Sequence, residues 1–375
     1  MKYIYPHYDE CLTNLANSVL KYFDCDIKHN TLESVDKILD SSKPKNVIVI
    51  LYDGMGANIL DRVLDKDDFF IKNKHRSISS VFPPTTTAAT TSVITGLNPC
   101  EHGWLGWNLY FKDIDKVVTM FLNTIKDTDI KVSDESISYK VYGYETIFDI
   151  INKNNKYKSF YISPFADIKY DDIDSMLDKI YKYSLEDGKK YIYAYYADPD
   201  TTMHLTGTDS VDTKKCIKMI NDKTEKLCDK LEDSIVIVIA DHGHINSNSI
   251  KISDYPEIMN MLSKDISVDA RACSFFIKDE YKDKFKDCFN KYFGKDFILL
   301  AKKEVIDRNL FGAGICHEHF EESLGDYLAI AISDKYFKYD DKGEEYKSAH
   351  AGITEDEVYI PLIIIDKTKR KVLKR

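Results

Sequence analysis

The amino-acid sequence predicts an α/β fold of three layers, α/β/α, with a mostly parallel central sheet between two layers of helices. Short apolar runs rich in β-branched residues recur along the chain, each bounded by turn or charged residues, and this is the pattern of buried parallel strands. Stretches with helical spacing lie between these runs, and strands that alternate with helices form βαβ units. The pattern changes from residue 248 to about residue 348, which indicates an inserted subdomain.

The predicted elements alternate along the chain in the order that such a sheet requires. The predicted strands of the central sheet are residues 46–51, 159–162, 191–196, 235–240 and 359–365. The clearest predicted helices between them are residues 147–153 and 213–231. The strand-like patterns of the inserted part are residues 272–278 and 297–301, on either side of an aromatic-rich helix around residues 282–293. We therefore predict an α/β core of residues 1–250 and 346–375, which carries the functional site, and an α+β cap of residues 251–345.

The overall charge and the cysteine pattern restrict the classes of function. A formal net charge of -10 argues against broad electrostatic capture of a nucleic-acid polymer, so none is expected as a partner. No run reaches the roughly 18 to 20 apolar residues of a membrane span, and residues 1–10 lack the basic end and apolar run of a signal peptide. The eight cysteines form no CxxC pair, which favours reduced thiols. We expect a cytoplasmic protein without a membrane span.

Acidic and imidazole side chains occur where the predicted strands end. In open α/β sheets, ligands bind beyond the carboxyl ends of the strands. The residues at these places are Asp53 after the first strand, Asp200 and His204 after the third, Asp241 and His242 after the fourth, and His350 before the last. Singly, an aspartate there is commonly a helix cap, and a histidine is commonly a surface or core residue. Together they predict one crevice lined by carboxylate and imidazole groups, a ligand set that suits zinc.

Residues 82–96 form a stretch without a charged side chain in a chain that is otherwise rich in charge. Two prolines suit the start of a helix, and Gly96 suits its end. A hydroxyl at such a helix start lies beside unpaired amides and the positive end of the helix dipole, which favour phosphate binding. The alternative is a threonine-rich cap followed by a packing helix of small residues. Spacing alone does not choose among Thr85, Thr86 and Thr87.

The ordered set of motifs resembles the alkaline phosphatase superfamily and, within it, the nucleotide pyrophosphatase/phosphodiesterase branch. The matching motifs, spread over about three hundred residues, are Asp53-Gly54-Met55-Gly56, Phe82-Pro83 leading to Thr86, Thr95-Gly96-Leu97 with Pro99 and His102-Gly103, Pro199-Asp200 with His204, Asp241-His242-Gly243, and His350-Ala351-Gly352. One such motif is weak, whereas the ordered set is specific. The resemblance implies an alkaline phosphatase-like fold and a metal-dependent hydrolase of phosphate esters.

The resemblance also implies two divalent metal ions, with zinc expected and manganese or iron as alternatives. One ion would be held by Asp53, Asp241 and His242, with Thr86 completing its shell, and the other by Asp200, His204 and His350. Three aspartates partly neutralise two dications, which leaves positive charge to attract a phosphate.

By the same resemblance Thr86 is the nucleophile of a type I phosphodiesterase or nucleotide pyrophosphatase. The expected reaction passes through a phosphothreonine that water then hydrolyses. The expected partner is a small phosphorylated substrate, either a nucleotide or another phosphodiester. Alternatives on the same site are a phosphomonoesterase or a phosphonate hydrolase, while phosphoglycerate mutases with this metal pattern typically use a serine. A metal-binding sensor without catalysis is the alternative from another class.

The sequence departs from the family pattern near the expected substrate. Similar phosphodiesterases place an Asn four residues after the glycine that matches Gly103, where it helps to bind a phosphoryl oxygen. Here Trp107 occupies that position, and Asn108 follows it as the candidate substrate-binding residue. Similar proteins also carry Pro-Asn where this chain has Ala88-Ala89. The preference for a diester or a monoester therefore stays open.

Two groups of possible metal ligands lie outside the implied set. His244 is expected to support a metal ligand or to face the substrate, because both ions already have their protein ligands. Cys316, His317 and His319 could form another metal site in the cap. A surface cluster is favoured there, since no fourth ligand has a suitable spacing.

Three aromatic residues, Trp104, Trp107 and Tyr110, follow the threonine-rich stretch. Their rings could stack on a nucleobase. Packing in the core is at least as good an explanation, so these residues do not identify the organic part of the substrate.

Overall fold

Strands and helices alternate along the chain, as the spacing of apolar residues predicts. The computed structural model describes residues 2–153, 155–339 and 345–368, while Met1, Asn154 and residues 340–344 and 369–375 of the predicted core and cap lie outside the described residues. The strands are β1 Asn46–Tyr52, β2 Lys74–Ser79, β3 Asn108–Phe111, β4 Lys116–Thr119, β5 Thr124–Ile125, β6 Lys158–Ile162, β7 Lys190–Tyr196, β8 Ser234–Ile239, β9 Ile245–Asn246, β10 Asn248–Lys251, β11 Ser267–Val268, β12 Ala272–Phe275, β13 Phe297–Ala301, β14 Tyr327–Ala331, β15 Lys335–Lys338, β16 Ser348–Ala349 and β17 Tyr359–Asp366. The helices are α1 Leu12–Tyr22, α2 Glu33–Ser42, α3 Ala57–Val63, α4 Phe69–Asn73, α5 Thr86–Thr95, α6 Pro99–His102, α7 Ile137–Val141, α8 Ile147–Lys153, α9 Ile173–Ser184, α10 Asp200–Thr206, α11 Val211–Lys230, α12 Pro256–Met261, α13 Lys282–Phe293, α14 Lys302–Asp307, α15 Phe320–Ser323 and α16 Glu355–Val358.

The central sheet has six strands in the order β2-β17-β8-β1-β7-β6. Strands β8, β1, β7 and β6 run parallel, whereas β17 is antiparallel to both of its neighbours. Leu51 of β1 is in register with Tyr195 of β7 and with Ile239 of β8. Because these three strands end level, the residues that follow them emerge together at one edge of the sheet. The predicted mostly parallel sheet is confirmed.

Helices cover both faces of the central sheet. Side chains alternate between the two faces along a strand. On one face, Tyr191 and Tyr193 of β7 contact Phe148 of α8, with ring centroids 5.6 and 6.0 Å apart. Tyr52 of β1 is in register with the last residue of β7, which points away from Tyr191 and Tyr193. The side chain of Tyr52 therefore lies on the other face of the sheet. Its hydroxyl lies 2.7 Å from that of Thr224 on α11, which confirms the third layer.

A second sheet of seven strands has the order β13-β14-β12-β11-β3-β4-β5 and antiparallel pairing throughout. One face packs against α13 through a cluster that includes Phe275, Phe285 and Phe289. The other face contributes Leu328 and Ile330 to a separate cluster. The second sheet thus has a core on each side.

Three strands of the second sheet, β3, β4 and β5, come from before residue 126 and so precede the predicted cap. The division into a core and a cap of residues 251–345 stays a prediction. Among the described residues, no helix combines the length and the apolar character needed to cross a membrane. The cytoplasmic location likewise stays a prediction.

Two contacts fix the segment that precedes β17. Ala349 of β16 pairs with Ile245 of β9, so the chain before His350 lies beside the chain that follows β8. Farther along, the fully buried Arg271 of the second sheet donates from Nε and Nη2 to the two carboxylate oxygens of the fully buried Glu357, at 2.7 and 2.8 Å. The ion pair joins the second sheet to the central one.

Candidate metal centre and active site

Acidic and imidazole side chains from distant parts of the chain meet at the carboxyl edge of the central sheet. Within the described residues, two groups have candidate ligand atoms that all lie within 4.8 Å of one another. The first cluster is Asp53, Asp241 and His242, and the second cluster is Asp200, His204, His244 and His350. The imidazole rings of His242 and His350 stack with centroids 3.8 Å apart, so the clusters are neighbours. The six predicted ligands are brought together, and His244 joins them.

Backbone contacts hold the ends of β1 and β7 side by side. Asp53 N donates to Tyr196 O at 2.9 Å, and Asp200 N donates to Asp53 O at 3.0 Å. Gly54 follows with a φ of 72°, and a Cβ there would lie 2.9 Å from His244 Cδ2. A residue without a side chain is therefore required where the clusters approach the backbone.

The first cluster uses two adjacent residues at the end of β8. His242 Nε2 lies 3.3 Å from Asp53 Oδ1 and 3.5 Å from Asp241 Oδ2. The next residue, Gly243, packs so closely that a Cβ there would lie 2.0 Å from Asp356 O. The glycine thus allows the tight packing that accompanies two neighbouring side chains turned toward one point.

The second cluster is arranged around one carboxylate oxygen, Asp200 Oδ1. His204 lies one helical turn along α10, and its Nε2 is 3.4 Å from this oxygen. His350 Nε2 lies 3.8 Å and His244 Nε2 lies 2.5 Å from the same atom. His244 therefore contacts Asp200 directly, which agrees with a role beside a predicted ligand without assigning it further.

The three adjacent threonines have different surroundings. Thr86 is the first residue of α5, and its Oγ1 lies 3.3 Å from both Asp53 Oδ2 and His242 Nε2. Thr85 instead donates to Asp269 Oδ2 at 2.8 Å. Thr87 is fully buried, and its hydroxyl has no hydrogen-bond partner among the described residues. Of the three hydroxyls, that of Thr86 contacts the first cluster.

The carboxylates of the first cluster are buried, and within the described residues neither forms an ion pair with a Lys or Arg side chain. Burial raises the pKa of Asp53 well above its ordinary value, and the charge of Asp200 adds to the shift. Burial and the charge of Asp53 raise the pKa of Asp241 in the same way. Asp53 Oδ1 and Asp241 Oδ2 are buried and have no hydrogen-bond donor among the described residues. A cation at this point would satisfy both atoms.

In the second cluster, the pKa of the carboxyl group is lowered rather than raised. Burial opposes ionisation of Asp200, but the imidazoles of His204 and His244 outweigh it and hold the pKa of Asp200 below its ordinary value. Burial lowers the pKa of His244 to about 3 and lowers that of His350 well below its ordinary value. The cluster therefore combines a carboxylate with two imidazoles, His244 and His350, whose neutral form is favoured, and these are the forms that bind a metal ion.

Hydrogen bonds set the tautomers of two histidines. His204 Nδ1 lies 2.8 Å from Ser348 O, and His242 Nδ1 lies 3.1 Å from Gly243 O. A carbonyl oxygen only accepts, so each Nδ1 carries the proton and each Nε2 presents its lone pair to its cluster. Metal-binding histidines have this arrangement. The donor set therefore fits divalent ions.

Comparison with known proteins decides the family. Residues 47–352 match the family described as type I phosphodiesterase / nucleotide pyrophosphatase. The chain belongs to this phosphodiesterase family. Membership confirms the resemblance and makes the protein a hydrolase of phosphoric esters. Hydrolases of this family depend on two metal ions, in agreement with the two clusters.

Solved structures share the fold of this phosphodiesterase family member. Mouse ectonucleotide pyrophosphatase/phosphodiesterase 5 is 18% identical, with a TM-score of 0.66 over 84% of this chain and 87% of that chain. The human protein of the same name is 16% identical, with a TM-score of 0.66 over 85% and 87%. Phosphonoacetate hydrolase from Sinorhizobium meliloti is 15% identical, with a TM-score of 0.65 over 88% and 92%. No curated protein matches the chain significantly.

Two residues at the site of this phosphodiesterase, Tyr195 and Asp269, are not among those predicted from the sequence. Tyr195 of β7 donates to Asp53 Oδ2 at 2.5 Å, and Asp269 accepts from Thr85. The position of Tyr195 near the end of a predicted strand is a usable signal. Asp269 comes from the second sheet, and nothing in the local pattern singles it out.

The predicted substrate residue Asn108 begins β3 in the second sheet. Its Oδ1 accepts from Thr119 Oγ1 at 2.8 Å, and it pairs with Val268. Its contact with substrate stays a prediction.

The three aromatic residues after the threonines differ in burial. Trp104 is fully buried and donates from Nε1 to Tyr142 O at 2.9 Å, so it packs in the core. Tyr110 is also buried and contacts Phe276. Trp107 is 38% exposed. Only Trp107 of the three keeps substantial exposure for a ligand.

The group of Cys316, His317 and His319 is not among the metal-type clusters found in the described residues. Cys316 is exposed, and His317 Nδ1 accepts from the backbone N–H of His319 at 3.2 Å. These contacts give it no arrangement of converging ligand atoms.

Proposed function

We propose that this chain hydrolyses small phosphodiesters, with Thr86 as the nucleophile and two zinc ions as cofactors. The observation that carries the proposal is the position of Thr86 Oγ1, which lies 3.3 Å from Asp53 Oδ2 and from His242 Nε2 at the start of α5. Free amides and the positive end of the helix dipole at that place favour an anionic phosphoryl group. Neither neighbouring threonine has such surroundings.

The ligand assignment follows the family resemblance and the two clusters. One ion would be held by Asp53, Asp241 and His242 with Thr86, and the other by Asp200, His204 and His350. Bound divalent ions would supply the positive charge that attracts the ester and favours the alkoxide form of the threonine. Carboxylate and imidazole donors support zinc, with manganese and iron as the alternatives.

In the proposed reaction, Thr86 attacks phosphorus and Tyr195 orients one of the metal ligands. Thr86 Oγ forms a bond to phosphorus while the bond from phosphorus to the leaving oxygen breaks, which gives a phosphothreonine and the leaving group. Water then attacks phosphorus and the bond to Thr86 Oγ breaks, which releases the phosphate monoester and restores the Thr86 hydroxyl with a proton from the water. Tyr195 Oη donates to Asp53 and fixes the orientation of that carboxylate beside the nucleophile.

An aromatic surface beside the site supports a substrate with a flat group such as a nucleobase. Phe165 is 57% exposed and stacks on Phe121, with ring centroids 5.2 Å apart. Its ring centroid lies 6.1 Å from that of Tyr195. Trp107 contacts Phe121 at 5.9 Å and extends the surface. Flat rings bind such surfaces through stacking. The structure of an inactive form of mouse ectonucleotide pyrophosphatase/phosphodiesterase 5 in complex with AMP is similar in fold, with a TM-score of 0.65.

Isosteric variants of neighbouring threonines test the nucleophile. Thr86→Val removes the hydroxyl and should lower kcat on a p-nitrophenyl phosphodiester by at least about 10³-fold. Thr87→Val makes the same change at a hydroxyl that has no hydrogen-bond partner in the described part of the chain, and it should retain the rate. Thr86→Ser should retain part of it and yield a phosphorylated residue 86 after an acid quench. A Thr86→Val protein of near-normal rate would contradict the proposal.

A substrate panel separates the alternatives. We expect the zinc-loaded protein to cleave the diester faster than the matching p-nitrophenyl monoester. A faster monoester would favour a phosphomonoesterase, and preferential cleavage of phosphonoacetate would favour a phosphonate hydrolase. Two bound ions without hydrolysis of any substrate in a broad panel would favour a sensor.

A further inference from the structure

His244 lies where the chain leaves the first cluster and enters β9. Its side chain is fully buried, although it bears a polar ring. The ring also packs closely against Gly54, where an added Cβ would lie 2.9 Å from its Cδ2. Its two nitrogens make separate contacts, one to Ser348 and one to Asp200. Together these contacts decide which nitrogen carries the proton.

The contact to Ser348 places a proton on Nδ1. His244 Nδ1 lies 3.1 Å from Ser348 Oγ. The same hydroxyl donates to Met203 O at 2.7 Å, and a carbonyl oxygen only accepts. A hydroxyl has one hydrogen, so Ser348 Oγ must accept from His244 Nδ1–H. The tautomer of His244 is then the same as that of His204 and His242.

The other nitrogen, Nε2, presents its lone pair to a second acceptor. Nε2 lies 2.5 Å from Asp200 Oδ1, and an ionised carboxylate has no proton to give. Two lone pairs at this distance require a positive centre that both can share. The rings of His204 and His350 lie beside that of His244, with centroids 4.7 and 5.0 Å away, and the ligand atoms of all four side chains lie within 4.8 Å of one another.

We propose that His244 is a fourth protein ligand of the ion in the second cluster, beside Asp200, His204 and His350. The inference rests on the proposed two-ion site and extends its ligand set. Three imidazoles and one carboxylate favour zinc over magnesium or manganese. Four protein donors are the number found in tightly held zinc sites. The second cluster should therefore hold its ion more tightly than it would with the three ligands Asp200, His204 and His350 alone.

Metal affinity tests the proposal without reference to turnover. Full-length protein stripped of metal is titrated with Zn²⁺ against a competing chelator, in wild-type form and as His244→Gln. We expect two ions in the wild type, and in the variant one site weakened about 100-fold or more while the other is retained. The same exchange at the exposed His75 is the matched control. A His244→Gln protein that binds both ions within about threefold of wild type would overturn the proposal.

A spectroscopic signature separates a direct ligand from a supporting residue. In His244→Cys loaded with Co²⁺, a thiolate-to-cobalt charge-transfer band should develop in the near ultraviolet, and neither wild type nor His75→Cys should show it. Two bound Co²⁺ ions without the band would show that residue 244 does not touch the ion. Should the cysteine variant not fold, Ser348→Ala serves instead, because loss of the acceptor for Nδ1–H should weaken the same site about 10- to 100-fold. Unchanged affinity in Ser348→Ala would also contradict the proposal.

Failure of this inference and failure of the proposed function give different results. If wild type binds two ions and His244→Gln binds them equally well, only the fourth ligand is excluded. If wild type binds fewer than two ions, the two-ion hydrolase itself is excluded. Thr86→Val should bind the second-cluster ion normally in either case, since Thr86 contacts the first cluster.

Discussion

Two tyrosines on β7, Tyr193 and Tyr195, face the same side of the central sheet but have different surroundings. The buried hydroxyl of Tyr193 has no hydrogen-bond partner among the described residues. The hydroxyl of Tyr195 donates to Asp53, whose carboxylate would bind a metal ion. Partners that orient metal ligands are nearly as important as the ligands themselves. The pair therefore offers one functional hydroxyl and one matched control.

Tyr195→Phe should lower kcat or zinc affinity about 10- to 100-fold, because Asp53 loses the donor that orients it. Tyr193→Phe should leave both unchanged, since its hydroxyl makes no hydrogen bond to any residue that the structure describes. The measurement is diester hydrolysis and zinc titration of the two variants in parallel. Equal behaviour of the two variants would show that the Tyr195 hydroxyl has no special role.

At the scale of elements, α5 depends on a residue from the other sheet. Thr85, the residue before α5, makes no side-chain capping bond to the helix, and its hydroxyl donates to Asp269. Asp269 follows Val268, which has a φ of 73°, a rare conformation for a β-branched residue. Backbone strain of this kind persists where surrounding contacts hold it and is common near active sites. The start of α5 is thus positioned from the second sheet.

Asp269→Ala should reduce kcat roughly 10- to 100-fold, because the proposed nucleophile, Thr86, follows Thr85 directly and a small displacement of it is costly. Thr85→Val breaks the same hydrogen bond and should have a similar effect. Kinetics of both single variants and the double variant provide the measurement. Full additivity of the two losses would show that the residues do not act through their mutual bond.

The joint between α5 and α6 predicts a pH dependence. His102 is buried, with Nδ1 accepting from Trp104 N and Nε2 beside Ser92 Oγ at 3.0 Å. Burial lowers the pKa of His102 to about 3, so the folded state resists a proton that the unfolded state takes up below its ordinary pKa of about 6.5. This contribution to stability is present above that ordinary value and is lost as the pH falls toward the folded pKa.

Between pH 6.5 and 4, protonation of His102 in the unfolded state should therefore lower the free energy of unfolding by up to about 1.4 kcal/mol per pH unit. Urea unfolding of wild type and His102→Gln at several pH values measures the slope. The variant should be less stable at neutral pH but lose less on acidification. The exposed His75→Gln should keep the wild-type slope. An unchanged slope in His102→Gln would contradict the assignment.

The contrast between elements and their pairing shows how far the sequence predicts this structure. Helix α8, Ile147–Lys153, and helix α13, Lys282–Phe293, begin and end where the spacing of apolar residues predicts. That spacing is local, so it can be read from neighbouring residues. The second sheet pairs Asn108 with Val268, which are far apart in the chain. No local pattern carries such a pairing.

The candidate site also contains some residues that the sequence predicts and others that it does not. Asp53 and Asp241 can be predicted to meet, because parallel strands that end level bring their following residues to one edge. Thr86 is distinguished from Thr85 and Thr87 only by resemblance or by atomic contacts, since all three are equivalent in spacing. Asp269 lies outside the reach of either argument because it enters from another sheet.

For the whole molecule, the buried pair of Arg271 and Glu357 links the two sheets. Both side chains are fully buried, and Glu357 also accepts from Gly352 N at 2.7 Å and from Thr354 Oγ1 at 2.7 Å. Gly352 lies two residues after His350, so the pair holds the backbone that presents this imidazole. An uncompensated buried charge is strongly destabilising.

Arg271→Met should lower the free energy of unfolding by about 3 to 5 kcal/mol, because Glu357 would be left buried and unpaired. Urea unfolding with zinc present measures the loss. The control is Lys303→Met, which breaks the exposed ion pair between Lys303 and Asp307. It should change the free energy of unfolding by less than about 1 kcal/mol. A similar loss in both variants would show that the buried pair has no particular importance.

The same pair bears on how such a hydrolase can be re-engineered. The second sheet is a natural choice for exchange between relatives, since the six predicted metal ligands belong to the central sheet and its connections. Yet Asp269 of the second sheet bonds to Thr85, the residue before the proposed nucleophile, and Arg271 bonds to the segment after His350. A chimera that imports a foreign second sheet must keep these two side chains, or re-create their contacts, before any new substrate preference can be measured.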